Sequence, residues 1–202
     1  MMIEVVVTVL LILVLTTPVT SLMPVSPTSS IANIYDTNYK GPSPHWYDPI
    51  MHKHACYLIE SYNKLSGKEL VDMNIYKTNP LKATNEMFLN MNRIVLSHGV
   101  QKDGAGPILN YGNSAGLKLF SASWDQLTQM PSRYTADTET DRELRQQFMD
   151  EVTKNNIVSN YQGIRISLDK KKFLIKEAVV WNIVINDQFF GQAATFDKYE
   201  YI

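Results

Sequence analysis

Residues 107–120 read PILNYGNSAGLKLF and decide the fold. A short apolar run, 108–111, enters an Asn/Gly turn and passes directly into an amphipathic stretch that starts at residues 113–114. Apolar runs bounded by turn residues are typical of strands, and Asn or Ser before an amphipathic stretch is typical of a helix start. The segment therefore predicts a strand, a tight turn and a short helix that buries Leu117 and Phe120.

Upstream of this segment, the apolar triplet 94–96 (IVL) predicts the first strand. An amphipathic helix before it is marked at both ends, because Asp48 can cap it, Pro49 suits its first turn, and Gly67 can end it in the left-handed conformation. Its apolar residues recur at helical spacing, so we expect this helix to dock on the sheet. A further short helix is predicted at about 84–91.

Downstream, residues 124–130 predict a short helix that is stopped by a proline. The segment 140–143 (TDRE) has the form of a capping box, which predicts the start of a second helix. Leu144, Phe148 and Val152 then follow at four-residue spacing and predict its apolar face.

Beyond this helix the apolar period changes to two. Three runs, 157–168, 173–185 and 189–196, are joined by turns at 169–172 and 186–187, which predicts an antiparallel meander. The fold class is therefore α+β, with an antiparallel sheet of about five strands flanked by helices and an extra N-terminal helix.

Composition excludes several classes of function. The formal net charge of -1 over 202 residues gives no electrostatic footprint for nucleic acid or an anionic membrane surface. A single cysteine, Cys56, excludes an intrachain disulfide and a Cys-rich metal site. We interpret it as a small helical residue, with a redox-sensing thiol as the alternative. His52 and His54 are predicted on different faces of the first helix, so together with His45 they form a poor metal cluster and we expect no metal site from them.

The N-terminal region predicts targeting. Residues 5–15 (VVVTVLLILVL) match the length of a signal-peptide core, so 1–21 is interpreted as a signal peptide, with a membrane anchor at 5–25 as the alternative. Residues 22–45 are rich in Ser, Pro and Thr and predict a linker or transit segment. We expect entry into the secretory pathway, with the plastid of an alga as a destination. The domain is expected to occupy 46–202.

A carboxylate stands in the middle strand, where the odd positions from 173 to 185 are apolar except for Glu177. Because the side-chain period of a strand is two, these positions are predicted to share one face. A carboxylate in such a row needs a partner or a raised pKa, and Arg165 is near the expected cross-strand position. We interpret the two residues as a structural pair, with a polar anchor for a small ligand and solvent exposure as alternatives.

Other polar and aromatic residues are candidates for ligand contact, each with a structural alternative. His98 follows the first strand and has a hydrogen-bonded structural histidine as its alternative; Asn110 and Asn113 have the alternative of turn formation. No phosphate-binding loop, H-E-x-x-H or G-x-S-x-G motif occurs, so no catalytic residue or metal site is predicted and the cofactor is unknown. The full candidate set is His98, Asn110, Asn113, Tyr161, Arg165, Glu177, Trp181 and Gln192.

Successive blocks of the chain resemble the MEKHLA domain family, which is similar to PAS domains. The resemblance covers about residues 50–196 and its blocks occur in order. It implies a PAS-like sensory or protein-interaction role. The helix after the second strand lacks the cysteine of flavin-adduct photoreceptors, so a flavin photoreceptor is not expected. The blocks are IVLSHG, PILNYGNSAGLKLF, WDQLTQMPSRYTA, NYQGIRIS, FLIKEAVVWNIV and GQAATF.

Three functional hypotheses follow. The first is a PAS-like module that binds a small ligand or a protein partner without catalysis. The second is a small α+β enzyme that uses Glu177 or His98 as a general base. The third is a structural domain whose sheet face forms a homodimer. Contact with a membrane is expected only through the N-terminal segment.

Overall fold

The computed structural model describes residues 48–100 and 106–202. The predicted extra N-terminal helix is present and its caps are confirmed. Asp48 accepts a hydrogen bond from the backbone N–H of Ile50, and Gly67 closes the helix with a φ of 65°. The helices are α1 (Pro49–Ser66), α2 (Met73–Thr78), α3 (Pro80–Leu89), α4 (Ser114–Leu119), α5 (Trp124–Thr128) and α6 (Glu139–Asn155), with a 3₁₀ turn at Ser132–Thr135.

The strands form one antiparallel sheet in the order β2-β1-β5-β4-β3, and a short β6 also pairs with β4. The expected α+β architecture with a PAS-like sheet is thereby confirmed, and both the short β6 and helix α2 are additions to the predicted elements. The predicted meander is present as β3, β4 and β5. The strands are β1 (Ile94–His98), β2 (Leu109–Gly112), β3 (Ile157–Ile166), β4 (Lys172–Ile185), β5 (Gln188–Phe196) and β6 (Lys198–Tyr201).

The sheet has two differently covered faces. The inner face lies against α6 and the segment from α4 to the 3₁₀ turn, whereas the outer face lies against α1. The strand register shows which face of the sheet each side chain is on, because residues paired across an antiparallel sheet point to the same side. Residues Leu96, Val180 and Ala194 are therefore on the inner face, and Ser97 and Trp181 are on the outer face.

The prediction that the odd positions of β4 share one face was wrong. Phe173 and Ile175 point to the inner face, whereas Trp181 and Ile183 point to the outer face. The cause is a bulge at Glu177, whose φ of 53° lies in the left-handed region and shifts the alternation by one residue. A period-two pattern cannot reveal such a shift, since both faces of this strand are apolar.

Helix α6 also differs from its prediction in detail. Its capping box is formed by Thr138 and Asp141, and not by the segment 140–143. Leu144, expected on the apolar face, is 59% exposed, while Arg145 of the same turn is buried. Over the described residues, no helix has the length and apolar character needed to cross a membrane. The leader and the transit segment fall outside the described residues.

Candidate ligand-binding site

A cavity of about 80 Å³ lies between the inner face and α6. Its walls are mainly apolar, with Leu96, Val180 and Met149 among them. Polar side chains converge on it from four parts of the fold: β1, β3, β5, and helix α6 with the turn before it. They are His98, Ser132, Thr135, Arg145, Tyr161, Arg165 and Gln192.

Arg165 reaches the cavity from β3 and is 6% exposed. Its Nη1 donates to the Ile164 carbonyl at 2.6 Å, and its Nη2 donates to the Tyr161 hydroxyl. The guanidinium also lies 5.4 Å from the Tyr161 ring centroid, within cation–π distance. Gly163 leaves room for this arrangement, because a Cβ there would overlap the Tyr161 hydroxyl and come within 3.0 Å of Arg165 Nη1.

Arg145 reaches the cavity from α6 and is 8% exposed. Its Nη2 donates to Ser132 Oγ at 3.0 Å, which is a neutral partner. Burial, together with the smaller effect of the positive charge of Arg165, lowers the pKa of Arg145 to about 10. The two guanidiniums therefore repel each other across a small volume, and Arg145 is held on α6 by packing and by one neutral acceptor.

His98 ends β1 and is 8% exposed. A carbonyl can only accept, so Nδ1 donates its proton to the Gly99 carbonyl at 2.9 Å and Nε2 carries the lone pair. Nε2 is buried and has no partner among the described residues. Burial lowers the pKa of His98 to about 4, and the positive charge of Arg145 acts in the same direction. The imidazole is therefore a neutral acceptor at physiological pH.

The position of His98 depends on a glycine in the neighbouring strand. Gly191 of β5 has a φ of 133°, and a Cβ there would overlap the His98 carbonyl oxygen. The backbones of β1 and β5 thus approach more closely than any side chain would permit. This contact fixes the end of β1 and with it the direction of the imidazole.

Gln192 borders the cavity but is engaged in holding the fold together. Its Nε2 lies within hydrogen-bond distance of the Met149 carbonyl, Thr153 Oγ1 and Asn182 Oδ1, at 3.0 to 3.2 Å. These contacts attach α6 to β4 and β5. Gln192 therefore positions the helix that carries Arg145.

Asn110 and Asn113 do not reach the cavity. Asn110 Oδ1 accepts from Ser97 Oγ at 2.7 Å on the outer face. Asn113 is fully buried, caps α4 through Gly116, and bonds to backbone groups around β1, including the N–H of Val95. Asn113 matches the structural alternative of turn and cap formation, whereas Asn110 lies within β2 and its side chain links that strand to β1.

Trp181 and Glu177 also lie away from the cavity. Trp181 is fully buried on the outer face, where its Nε1 donates to Ser61 Oγ of α1 at 2.9 Å. Glu177 is exposed and pairs with Lys198 at 2.6 Å. The predicted Arg165–Glu177 pair was wrong, because Arg165 is in register with Phe173 and the bulge turns Glu177 outward.

The sequence analysis missed Arg145. The signal was present, since Arg145 precedes Met149 by four residues and Val152 by seven, the spacing of one helix face. A charged side chain in the apolar stripe of a helix indicates either a buried partner or a binding site. The role of Arg145 was missed because the apolar face of this helix was predicted to begin at Leu144.

The described part of the chain offers little support for a metal site or for a redox-sensing cysteine. No group of three or more His, Cys, Asp or Glu residues is placed to hold a metal ion there. Cys56 is partly buried, and burial raises the pKa of its thiol, which disfavours the thiolate that redox sensing needs. His52 and His54 are partly buried, and each lies within hydrogen-bond distance of a hydroxyl group, that of Thr84 at 3.0 Å and that of Ser97 at 2.8 Å respectively. His45 lies outside the described residues.

Residues 52–201 match the model of the MEKHLA domain. The chain belongs to the MEKHLA domain family. No curated protein matches it at a significant level. The predicted family is therefore confirmed, and the match includes every strand and all but the first turn of α1.

Among solved structures, the chain is similar to the PAS domain of a protein from Colwellia psychrerythraea, with 15% identity, a TM-score of 0.48, and coverage of 60% of this chain and 96% of that one. It is also similar to the LOV domain of the blue-light photoreceptor Aureochrome1, with 16% identity, a TM-score of 0.42, and coverage of 54% and 74%. An RNA-binding light-oxygen-voltage receptor matches with 10% identity, a TM-score of 0.45, and coverage of 56% and 31%. At these identities and scores, the likenesses carry no inference about ligand or partner.

Proposed function

We propose that this MEKHLA domain is a sensory module that binds a small ligand in the cavity beneath α6 and performs no catalysis. The observation that carries the proposal is the buried polar set at the wall of an apolar cavity, above all the unpartnered Nε2 of His98. Concave apolar sites with a few convergent polar groups are the usual form of ligand sites. Binding would change the contacts of α6, and so provide an output.

The enzyme alternative lacks a suitable base. His98 is in register with Gln192, which is in register with Asn182, whereas Glu177 lies about five residues further along β4 and two strands from His98. Strand dimensions then separate the two by roughly 15 Å or more. A pKa of about 4 also makes His98 a weak base at neutral pH, because a general base works best near the operating pH.

The dimerisation alternative lacks an open sheet face among the described residues. The outer face is covered by α1 and the inner face by α6 and the segment before it. We propose that any contact with a protein partner uses the helices or the edge of the sheet. The absence of nucleic-acid binding, secretory entry through 1–21, and delivery to a plastid stay predictions.

Native mass spectrometry of the full chain tests the proposed function. The expected result is a mass above that of the polypeptide which returns to the polypeptide mass on denaturation, or a rise in the melting temperature with compounds from a metabolite library. A bare polypeptide mass, together with no change in melting temperature across charged and neutral compounds, would contradict it.

A further inference from the structure

The chemical class of the ligand, which rests on the proposed function, follows first from the two buried arginines. Arg145 and Arg165 are 8% and 6% exposed. Within residues 48–100 and 106–202, no carboxylate lies within ion-pair distance of either guanidinium. Arginine is almost never buried without a charged partner, because the loss of hydration is costly. The described residues therefore supply no negative charge to balance the two arginines at this cavity.

The groups that do contact these arginines are neutral. Arg145 donates to Ser132, and Arg165 donates to Tyr161 and to the carbonyl of its own neighbour, Ile164. The carboxylate whose pKa is affected by the charge of Arg165 is the partly exposed Asp141 at the start of α6. Its pKa is lowered first by the hydrogen bond with Thr138 and only to a smaller extent by the charge of Arg165.

Each guanidinium also has donors to spare. An arginine carries five N–H groups in a planar fork, which matches the two oxygens of a carboxylate. The structure gives Arg145 a single hydrogen bond, through Nη2. An oxyanion between Arg145 and Arg165 would receive these donors and remove the repulsion between the two cations.

His98 sets a second requirement on the ligand, independent of charge. The residue lines the same cavity, and its Nε2 is a neutral acceptor that is buried and has no partner among the described residues. An acceptor of this kind is satisfied by a hydroxyl or N–H group of a ligand and is repelled by an anionic oxygen. The ligand therefore needs both an anionic end and a hydrogen-bond donor.

We propose that the cavity binds a short hydroxy-carboxylate, whose carboxylate lies between Arg145 and Arg165 and whose hydroxyl donates to Nε2 of His98. The carbon body lies against the apolar walls at Leu96 and Val180. The volume of about 80 Å³ limits the compound to a few non-hydrogen atoms, since flavin-sized or drug-sized ligands occupy several hundred Å³.

Calorimetric titration of the full chain with four matched compounds tests this proposal. Lactate carries both groups, lactamide replaces the carboxylate by a neutral amide, propionate lacks the hydroxyl, and inorganic phosphate supplies an anion of another shape. We expect lactate to bind most tightly, propionate about tenfold more weakly because it lacks the hydroxyl, and lactamide not measurably, because hydrogen bonds between charged groups are worth more than neutral ones. Phosphate should not bind measurably, because it has no carbon body to lie against the apolar walls and its additional anionic oxygens are repelled by the acceptor Nε2 of His98.

Matched variants locate the site. Arg145→Met and Arg165→Met keep the apolar stem and remove the charge, so each should weaken lactate binding about 10- to 100-fold. Arg142→Met is the control, because Arg142 is on the same helix but pairs with Glu139 outside the cavity. His98→Phe should remove the preference for lactate over propionate.

The outcomes separate the ligand class from the proposed function. Binding of lactamide as tightly as lactate would overturn the anionic class while leaving a ligand-binding module intact. Lactate binding that persists in both Arg145→Met and Arg165→Met would place the ligand elsewhere and overturn the proposal. If none of the four compounds binds, the hydroxy-carboxylate is overturned. A native mass that still exceeds the polypeptide mass would then preserve the proposed function alone.

Discussion

The two faces of the sheet are buried to a similar degree, but the polar groups on them differ in the partners that they have. On the outer face, Trp181 donates to Ser61, and His54 lies 2.8 Å from Ser97 Oγ, which donates to Asn110. On the inner face, two arginines and a histidine line a cavity, with only neutral partners for the charges. Polar groups on the outer face therefore connect α1 to the sheet, whereas the two arginines of the inner face have hydrogen-bond partners but no charged partner among the described residues.

Charge, and not burial, is what separates the two faces. The outer face has an unpartnered polar atom of its own, the hydroxyl of Tyr111, but this group is neutral and lies among aromatic rings. A neutral hydroxyl without a partner costs a modest amount of stability. Two like charges without a counterion cost more, and a fold that retains them indicates a site.

Removal of the outer-face anchor should produce the largest loss of stability. Trp181→Ala deletes a fully buried ring from the contact between β4 and α1, so we expect the free energy of unfolding to fall by about 4 kcal/mol. Urea denaturation measures this. Trp181→Phe is the matched control and should cost about 1 to 2 kcal/mol, because most of the packing is kept and only the hydrogen bond from Trp181 Nε1 to Ser61 Oγ is lost. Equal losses in both variants would show that the hydrogen bond dominates.

Acid should destabilise both faces through their histidines. Burial lowers the pKa of His54 and of His98 to about 4, while an unfolded imidazole titrates near 6.5. Between these values the unfolded chain binds a proton that the folded chain does not, so stability is full above pH 6.5 and is lost as the pH falls towards 4. Each histidine should account for up to about 3 kcal/mol.

Two variants separate the contribution of the histidines to the pH dependence of stability from that of the carboxylates. His54→Gln and His98→Asn keep a polar atom near the bonded ring nitrogen but do not titrate. Stability measured by denaturation at pH 7 and pH 4.5 should change less with pH in each variant than in the native chain. An unchanged pH dependence in His98→Asn would show that the inner-face imidazole is already solvated.

Removal of a charge from the inner face should increase the stability of the protein, whereas removal of the outer-face anchor should decrease it. Arg145→Met replaces an unpaired buried cation by an apolar side chain of similar length, so we expect the ligand-free protein to gain about 1 to 2 kcal/mol. Thermal denaturation without added carboxylate measures this. Arg142→Met, which removes a partly exposed charge pair and a hydrogen bond to the Asp137 carbonyl from the same helix, should change stability by less than about 1 kcal/mol. A loss of stability in Arg145→Met would indicate that the arginine is structural.

Most of the fold could be predicted from the sequence because its elements carry local signals. The caps of α1, the turn before α4 and the period-two runs of β3 to β5 each depend on a few neighbouring residues. The faces of β4 could not be predicted, since a bulge of one residue at Glu177 reverses the alternation and leaves no mark on an apolar strand.

The site was only partly predictable, for the same kind of reason. His98, Tyr161, Arg165 and Gln192 were among the candidates and do border the cavity. Arg145 was missed because its importance depends on its facing Arg165 from a different element, which is a tertiary relation. Polarity in the sequence marks a residue as a candidate, but only the position of the opposite element shows whether it has a partner.

The smallest expected effect concerns Glu177, and it tests the bulge that divides the two faces. Its ion pair with Lys198 is exposed, so Glu177→Ala should change stability by less than about 0.5 kcal/mol and leave carboxylate binding unchanged. Glu177→Gly relieves the left-handed conformation at a φ of 53°, a gain offset in part by the greater freedom of glycine in the unfolded chain, so we expect a net stabilisation of about 0.5 kcal/mol. Chemical denaturation of both variants measures the difference. A loss of 2 kcal/mol or more in Glu177→Ala would mean that the carboxylate holds a buried partner after all, and that the alternation of β4 is not reversed at this residue.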